Sequence, residues 1–179
     1  MIRIVAFLFC FISFQTIEPV ISWQDDYKLS WLDFKGEPKQ NSVAVAETAS
    51  GIRFGFSFKE LNSNIVSFTT EVHAYFSTEK SWFHKEKASD YILEHEQLHF
   101  DLTELFARKF RKEITELKVS NQIKAELKAL YKQHVTELGI MQRRYDEETD
   151  HSKNRDMQLK WQSYVKVELN KLSKYKLIE

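Results

Sequence analysis

The stretch Tyr91–Phe110, YILEHEQLHFDLTELFARKF, decides the fold prediction for this chain. It contains His95, Glu96 and His99 in the order H-E-x-x-H. Residues four apart lie on the same face of an α-helix, so the two imidazoles can bind one metal ion. The carboxylate of Glu96 is then placed to take a proton from a water molecule at the metal rather than to bind the metal itself. This division of roles is the one that a zinc hydrolase requires.

Apolar residues recur every three or four positions along this stretch, which predicts a helix whose buried face includes the two histidines. Ser89 or Asp90 is suited to cap its start, and no Gly or Pro follows the motif before Gly139. A core helix with two hydrogen-bonded histidines is the alternative interpretation. The metal site is favoured because an unpaired imidazole is costly on an otherwise apolar face. The apolar positions are Tyr91, Leu98, Leu102, Leu105, Phe106 and Phe110.

The N-terminus has the composition of an export signal. Arg3 provides a positive charge, Ile4–Phe14 is an apolar run too short to span a bilayer, and Val20–Ser22 has the character of a cleavage site. We therefore expect residues 1–22 to be removed and the mature protein, residues 23–179, to be periplasmic or secreted. An uncleaved N-terminal anchor is the alternative, although nothing after Phe14 extends the apolar run.

The remaining composition indicates a single domain held together by apolar burial. Cys10, inside the expected signal, is the only cysteine, so the mature protein contains no disulfide. The 26 basic and 26 acidic residues cancel, which gives no electrostatic argument for binding nucleic acid or an anionic membrane surface. We expect no stable membrane span once the signal has been cleaved, and the oligomeric state is left open.

Two runs in the first half of the chain alternate between apolar and polar residues, which predicts half-buried β-strands. The first lies within Val43–Glu60 and the second within Ile65–Phe76, and Asn62–Asn64 has the composition of a turn between them. We expect a hairpin or meander of a small antiparallel sheet. The alternating apolar positions of the first run are Ile52, Phe54, Phe56 and Phe58.

Two further helices follow the motif helix. One begins near Ser120 and continues to about residue 148, and the other covers about residues 154–174, each with apolar residues at helical spacing. The chain is therefore predicted to have an α+β fold, with a small N-terminal antiparallel sheet packed on three helices and H-E-x-x-H on the first long helix.

Several short motifs together resemble a known bacterial family, that of predicted secreted zinc-dependent proteases, a family of unknown function among the zincin-like peptidases. The resemblance extends over nearly all of residues 23–179 and is more specific than H-E-x-x-H alone. It implies a zincin-like fold, one zinc ion and an exported metallopeptidase, but no particular substrate. The motifs are Leu29-Ser30-Trp31, Asp33-Phe34-Lys35-Gly36, Ser81-Trp82, His95 to Asp101, Ala107-Arg108, Tyr145-Asp146, Thr149, His151 and Trp161.

A catalytic zinc ion usually has three protein ligands and one open position, so a third ligand is needed. A metzincin would have Gly and His where this chain has Leu102 and Leu105, which excludes that subclass. The resemblance points to the segment Tyr-Asp-x-x-Thr-x-His. It implies His151 as the third ligand, with Asp146 and Glu148 as alternatives.

Helix geometry favours a different third ligand. If the first two helices form a tight antiparallel pair, residues 138–140 lie opposite the motif, so Glu137 has the better register. At about 1.5 Å per residue, His151 would lie roughly 16 to 20 Å too far along, unless the second helix is tilted, bent or shorter. His151 is the leading prediction, and Glu137 and Asp146 are the alternatives.

These assignments predict hydrolysis of a peptide or protein substrate with Glu96 as the general base. Tyr145 or Arg108 could donate a hydrogen bond to the substrate oxygen, and Asp101 could orient a ligand histidine. A free sheet edge could hold an extended peptide by β-addition. Two alternatives are an exported binding module with a structural metal or none, and a zinc hydrolase of a non-peptide amide.

Overall fold

The main sheet contains three antiparallel strands. Its order is β1 (Val20–Ser22), β4 (Asn64–Ser77) and β3 (Ser50–Leu61), with β4 in the centre. The computed structural model describes residues 18–42 and 44–177, so most of the expected export signal lies outside the described residues. The long hairpin of β3 and β4 confirms the two alternating runs as paired strands.

A second, two-stranded antiparallel sheet consists of β2 (Ala46–Glu47) and β5 (Trp82–Phe83). The sequence analysis predicted neither of these short strands. The Val45 carbonyl accepts a hydrogen bond of 2.8 Å from the His84 N–H, which extends the pairing by one residue. Thr48 then connects β2 to the motif helix, because its hydroxyl donates to the Glu96 carbonyl at 3.3 Å.

Three long helices follow the sheets: α1 (Asp90–Ile114), α2 (Ile123–Glu148) and α3 (Arg155–Lys171). The Ser89 side chain accepts a hydrogen bond from the Ile92 N–H and thereby caps α1, as its sequence suggested. None of the helices in the described part of the chain is both long and apolar enough to cross a membrane. The predicted α+β fold with a small antiparallel sheet and three helices is confirmed.

The hydrophobic core lies between the main sheet and the three helices. The β3–β4 face contributes Ile52, Val72 and Phe76, and α1 is buried along most of its length, from His95 to Ile114. Helices α2 and α3 bury only one stripe each. This arrangement fixes α1 in the centre of the domain and so fixes the position of the H-E-x-x-H motif. The α1 core residues are Leu98, Phe100, Leu102, Leu105, Phe106, Ala107, Phe110 and Ile114.

Helices α1 and α2 run antiparallel, and their ring contacts define the register. Phe110 packs on Tyr131, and Phe106 packs on His134. Nearer the motif, the ring of Tyr145 is stacked on that of His95 with centroids 4.4 Å apart. The C-terminal end of α2, rather than its middle, therefore lies beside the motif.

Candidate metal centre

Three side chains from α1 and α2 converge on one point. The Nε2 atoms of His95 and His99 lie 3.2 Å and 2.9 Å from the Asp146 Oδ1 atom, and they are 3.3 Å from each other. Within the part of the chain that the structure describes, these residues form the one group of His, Cys, Asp or Glu side chains close enough to share a metal ion. A tetrahedral zinc ion with bonds of about 2.0–2.1 Å has ligand atoms about 3.3 Å apart, so the three atoms match such a site.

The outer nitrogen of each histidine contacts a glutamine. His95 Nδ1 lies 3.2 Å from the Gln158 Oε1 atom, and His99 Nδ1 lies beside the Gln142 Oε1 atom. Gln142 Nε2 donates to the His99 carbonyl at 2.9 Å, and Gln158 Nε2 donates to the Tyr91 carbonyl at 3.3 Å. These contacts fix which way each amide points, so each glutamine presents its oxygen to the imidazole.

The amide oxygens determine the tautomer of both histidines. An amide oxygen can only accept, so the Nδ1 atoms of His95 and His99 carry the protons that they donate to Gln158 and Gln142. Each Nε2 atom is then free to bind a metal ion on the side of Asp146. The arrangement therefore fits a metal site better than a pair of hydrogen-bonded core histidines.

Asp146 and His99 stabilise each other's charged forms. Burial opposes ionisation of Asp146, but its hydrogen bonds to His95 and His99 outweigh that effect and hold its pKa well below the usual 3.8. Burial would lower the pKa of His99, yet the hydrogen bond to Asp146 and the charges of Glu96 and Asp146 raise it above the usual 6.5. The cluster therefore favours a positive charge at its centre, whether a proton or a metal cation.

Glu96 is buried beside this cluster, with only 4% of its surface exposed. Its Oε2 atom has no hydrogen-bond partner, which is costly for a buried carboxylate oxygen. The residue lines the same cavity as His95, His99 and Asp146. Glu96 therefore brings to the cavity a carboxylate with unused capacity to accept a hydrogen bond or a proton.

The cavity at the cluster has a volume of about 580 Å³. It is lined by the segment 44–48, which contains β2, by α1 and the end of α2, and by residues 151–153. A larger cavity, of about 750 Å³, lies between α1 and α3 and contains none of the cluster residues. We therefore assign the candidate site to the smaller cavity, where the chemistry lies.

The structure places the other predicted third ligands away from the cluster centre. Glu137 is exposed on α2 and accepts a hydrogen bond from Gln133 at 2.9 Å. Glu148 accepts from the Trp161 indole at 2.9 Å and so points towards α3. His151 lies at the rim, with its Nδ1 atom 4.0 Å from Asp146 Oδ1 and its side chain 64% exposed. Asp146, predicted as an alternative ligand, is the residue that completes the cluster.

Tyr145 does not face the cavity. It is fully buried, and its hydroxyl donates to the His95 carbonyl at 3.4 Å. Burial, together with the nearby charges of Glu96 and Asp146, raises the pKa of Tyr145, so its hydroxyl stays protonated. Its hydroxyl thus contacts the His95 backbone, whereas a donor to the substrate was predicted, and its ring stacks on that of His95.

Arg108 and Asp101 are also occupied elsewhere. Arg108 lines the larger cavity, where it binds Glu104 at 2.8 Å and the Leu169 carbonyl at 2.9 Å. Asp101 accepts hydrogen bonds of 2.8 Å from Trp23 and Gln97, so it orients neither ligand histidine. Gln158 and Gln142 contact the Nδ1 atoms of His95 and His99 instead, and neither glutamine was predicted from the sequence.

The family comparison covers the region that contains this site. Residues 27–152 match a family described as bacterial protein of unknown function (DUF922). The chain belongs to this family. The DUF922 region includes β2–β5, α1 and α2, and therefore all three cluster residues and Glu96. No curated protein and no solved structure matches the chain.

Proposed function

We propose that this chain is an exported zinc-dependent peptidase with a zincin-like fold. His95, His99 and Asp146 bind one zinc ion, and Glu96 is the general base. The observation that carries the proposal is the convergence of three ligand atoms beside a buried carboxylate oxygen without a partner. Two imidazole nitrogens and a carboxylate oxygen are a ligand set that suits zinc.

A bound zinc ion would polarise the substrate carbonyl and make a nearby water molecule more acidic. The chain's own contribution is the proton transfer at Glu96. As the water oxygen adds to the carbonyl carbon, the Oε2 atom of Glu96 accepts a proton from that water. Glu96 then gives the proton to the departing nitrogen as the carbon–nitrogen bond breaks, so the carboxylate is regenerated at the end of the reaction.

The edge of β2 is suited to hold an extended peptide next to Glu96. Val45 is hydrogen-bonded to His84 in the antiparallel ladder, so Ala46 directs its own N–H and C=O away from β5. Both Val45 and Ala46 line the cavity. A substrate strand that pairs with this edge would place its backbone amides in the cavity that contains the cluster.

The coordination favours catalysis over a structural metal. A structural zinc site is closed by a fourth protein ligand, whereas the cluster within the described residues has three. The cavity leaves room beside the cluster for a substrate. A non-peptide amide would undergo the same chemistry, and the β2 edge is the feature that favours a peptide.

Export is supported by the sequence alone. Arg3 and the apolar run Ile4–Phe14 are the features of a secretion signal. A secreted or periplasmic peptidase without a disulfide depends on its core, and bound zinc would add to its stability.

The function is tested by separating the general base from the metal ligands. Glu96→Gln removes the proton acceptor and leaves the cluster, so zinc content should stay at one ion per chain while hydrolysis of a mixed peptide pool falls by about 10² to 10⁴-fold. His95→Ala and His99→Ala should lose both zinc and activity. Glu94→Gln is the matched control on the same helix, since Glu94 is exposed and contacts Gln162. Purified protein that binds no zinc when the metal is in excess would contradict the proposal.

A further inference from the structure

The cavity contains one imidazole that neither the cluster nor the general base uses. His151 lies in the turn between α2 and α3 and lines the cavity together with the cluster residues and Glu96. Its Nδ1 atom is 4.0 Å from the same Asp146 oxygen that contacts both ligand histidines. The side chain is 64% exposed, so it is available to a molecule bound in the cavity.

We propose that His151 donates a hydrogen bond to the carbonyl oxygen of the bound peptide. This role rests on the proposed peptidase function, and it deepens that function by assigning the donor that hydrolysis requires. Negative charge develops on the carbonyl oxygen as water adds, and a donor placed to meet that charge stabilises the transition state more than the ground state. The imidazole keeps its proton throughout, so the proton balance at Glu96 is unchanged.

The backbone around His151 has an unusual conformation. Asp150, His151 and Ser152 have φ angles of 45°, 49° and 73°, in the left-handed region that residues other than glycine rarely occupy. Such a conformation persists where the surrounding structure determines it, and it concentrates at functional sites. Glycine could adopt these φ angles without strain. The turn instead has three consecutive residues with side chains in this conformation.

The turn is tied directly to the ligand residue. The His151 N–H donates to the Asp146 carbonyl at 2.9 Å, so the backbone that positions the Asp146 carboxylate also positions the imidazole. Thr149 is fully buried, and its hydroxyl donates to the Tyr145 carbonyl at 2.7 Å. The Asn154 N–H closes the turn through a bond of 2.8 Å to the Thr149 carbonyl. The backbone of His151 is therefore held in place relative to the cluster.

Four other polar side chains at the cavity already have partners. The Thr48 hydroxyl donates to the Glu96 carbonyl, and the Ser50 hydroxyl shares a hydrogen bond of 2.7 Å with Thr103. The Gln142 amide is bound to His99, and Lys153 pairs with Asp150 at 3.4 Å. His151 combines proximity to the cluster with a side chain that is exposed at the cavity.

The experiment compares His151→Gly with Asp150→Gly in the full-length protein. Glycine removes each side chain and suits both left-handed positions, so the second variant controls for added flexibility of the turn. Three quantities are measured: zinc affinity by competition with a chromophoric chelator, kinetics on a single peptide that the wild type cleaves, and binding of a phosphinic analogue of phenylalanyl-alanine in which PO₂–CH₂ replaces the amide. The tetrahedral PO₂ group resembles the transition state.

We expect His151→Gly to keep the zinc affinity of the wild type within about twofold and to leave KM nearly unchanged. Its kcat should fall about 10² to 10³-fold, the usual cost of losing one such donor. Affinity for the phosphinic analogue should fall at least about tenfold, and Asp150→Gly should match the wild type in all three measurements.

Four results would overturn the assignment. A large loss of zinc affinity in His151→Gly would make His151 a metal ligand, and equal losses of kcat in both variants would assign the effect to rigidity of the turn. An active wild type with an equally active His151→Gly variant would remove His151 from the reaction and leave the peptidase function intact. A zinc-loaded wild type that neither hydrolyses peptides nor binds the analogue would instead refute the peptidase function and, with it, this assignment.

Discussion

His99 Nε2 lies 2.9 Å from Asp146 Oδ1, although 47 residues separate them in the chain. The contact follows from the register of α1 and α2, in which Phe110 meets Tyr131 and the histidines meet the last turn of α2. The core contacts that hold the helices together therefore also set the distance between the candidate metal ligands.

This register predicts which carboxylate of α2 binds the metal. Asp146→Ala removes a ligand atom, so zinc affinity should fall by more than the 10 to 100-fold that is usual for loss of an outer partner of a ligand. Glu137→Ala is the matched control, because it removes an exposed carboxylate from the same helix. Zinc titration of both variants against a chelator is the measurement. Equal zinc affinities in the two variants would exclude Asp146 as a ligand.

The sequence was sufficient to predict the long hairpin and the three helices, but not the short strands or the register of the helices. The elements were predicted from local signals, namely the alternation at Phe54 and Phe56 and the helical spacing from Tyr91 to Phe110. The predicted hairpin and helices are confirmed. The third ligand depends instead on the connection between α1 and α2. That connection was assumed to be tight, whereas α1 ends at Ile114 and α2 begins at Ile123. The longer connection permits α2 to shift along α1, and the pairing of Phe110 with Tyr131 and of His95 with Tyr145 brings Asp146, not Glu137, to the motif.

The role of a side chain that acts through one contact is difficult to predict from a single sequence. Gln142 and Gln158 are polar residues on helices, which is ordinary composition, and only their contacts with His99 and His95 reveal a role. Tyr145 was correctly noticed as part of a motif, but whether its hydroxyl faces the cavity or the His95 carbonyl depends on packing. A signal that could have identified Gln158 is its place on the apolar stripe of α3, beside Trp161 and Val165.

The proposed contribution of Gln158 to metal binding can be tested by measuring zinc affinity. Gln158→Leu keeps the buried volume but removes the oxygen that accepts the His95 proton, so zinc should bind about 10 to 100-fold more weakly. Gln158→Glu restores an acceptor and should recover most of that affinity, which a purely structural role would not explain. Gln162→Leu, on the same helix and in contact with Glu94, is the control. Unchanged zinc binding in Gln158→Leu would show that the amide does not position His95.

The cluster also predicts how the stability of the metal-free protein depends on pH. The pKa of Asp146 is lowered, so its contribution is present above 3.8 and is lost as the pH falls through the folded-state value. The pKa of His99 is raised, so its contribution is complete below 6.5 and is lost as the pH rises through the folded-state value. Both contributions are therefore present together between about pH 4 and 6.5, where the cluster stabilises the metal-free protein most.

Above pH 6.5 the stability of the metal-free protein should fall as the pH rises, whereas the stability of the zinc-bound protein should increase. The reason is that zinc displaces the proton from His99 and binds more tightly as the pH rises. Urea unfolding at pH 5.5 and pH 8 with a chelator, and again with zinc in excess, measures both effects. Asp146→Ala should remove the pH dependence that the cluster causes in the metal-free protein. Stabilisation by zinc that is no greater at pH 8 than at pH 5.5 would contradict the assignment of His99 as a ligand.

The last prediction concerns where the mature chain begins. Cleavage after Ser22 would remove β1, whose residues Val20–Ser22 pair with Tyr75–Ser77 in the main sheet. It would also remove Glu18, which binds Lys80 at 2.7 Å. These contacts favour a mature terminus at or before Glu18. Mass spectrometry of the exported protein should find it there, and a terminus at Trp23 would contradict this prediction.

A direct comparison of two recombinant chains tests the same point independently of export. A chain that begins at Trp23 loses the backbone hydrogen bonds of β1, each of which contributes about 0.5 to 1.5 kcal/mol. Its free energy of unfolding should therefore be lower than that of a chain beginning at Glu18 by on the order of 2 to 4 kcal/mol. Urea unfolding of the two metal-free chains measures the difference. A third chain, beginning at Glu18 with Glu18→Gln, separates the strand from the exposed ion pair and should unfold close to the longer chain. Equal stability of the chains that begin at Glu18 and at Trp23 would show that β1 is dispensable and would restore Ser22 as the favoured cleavage position.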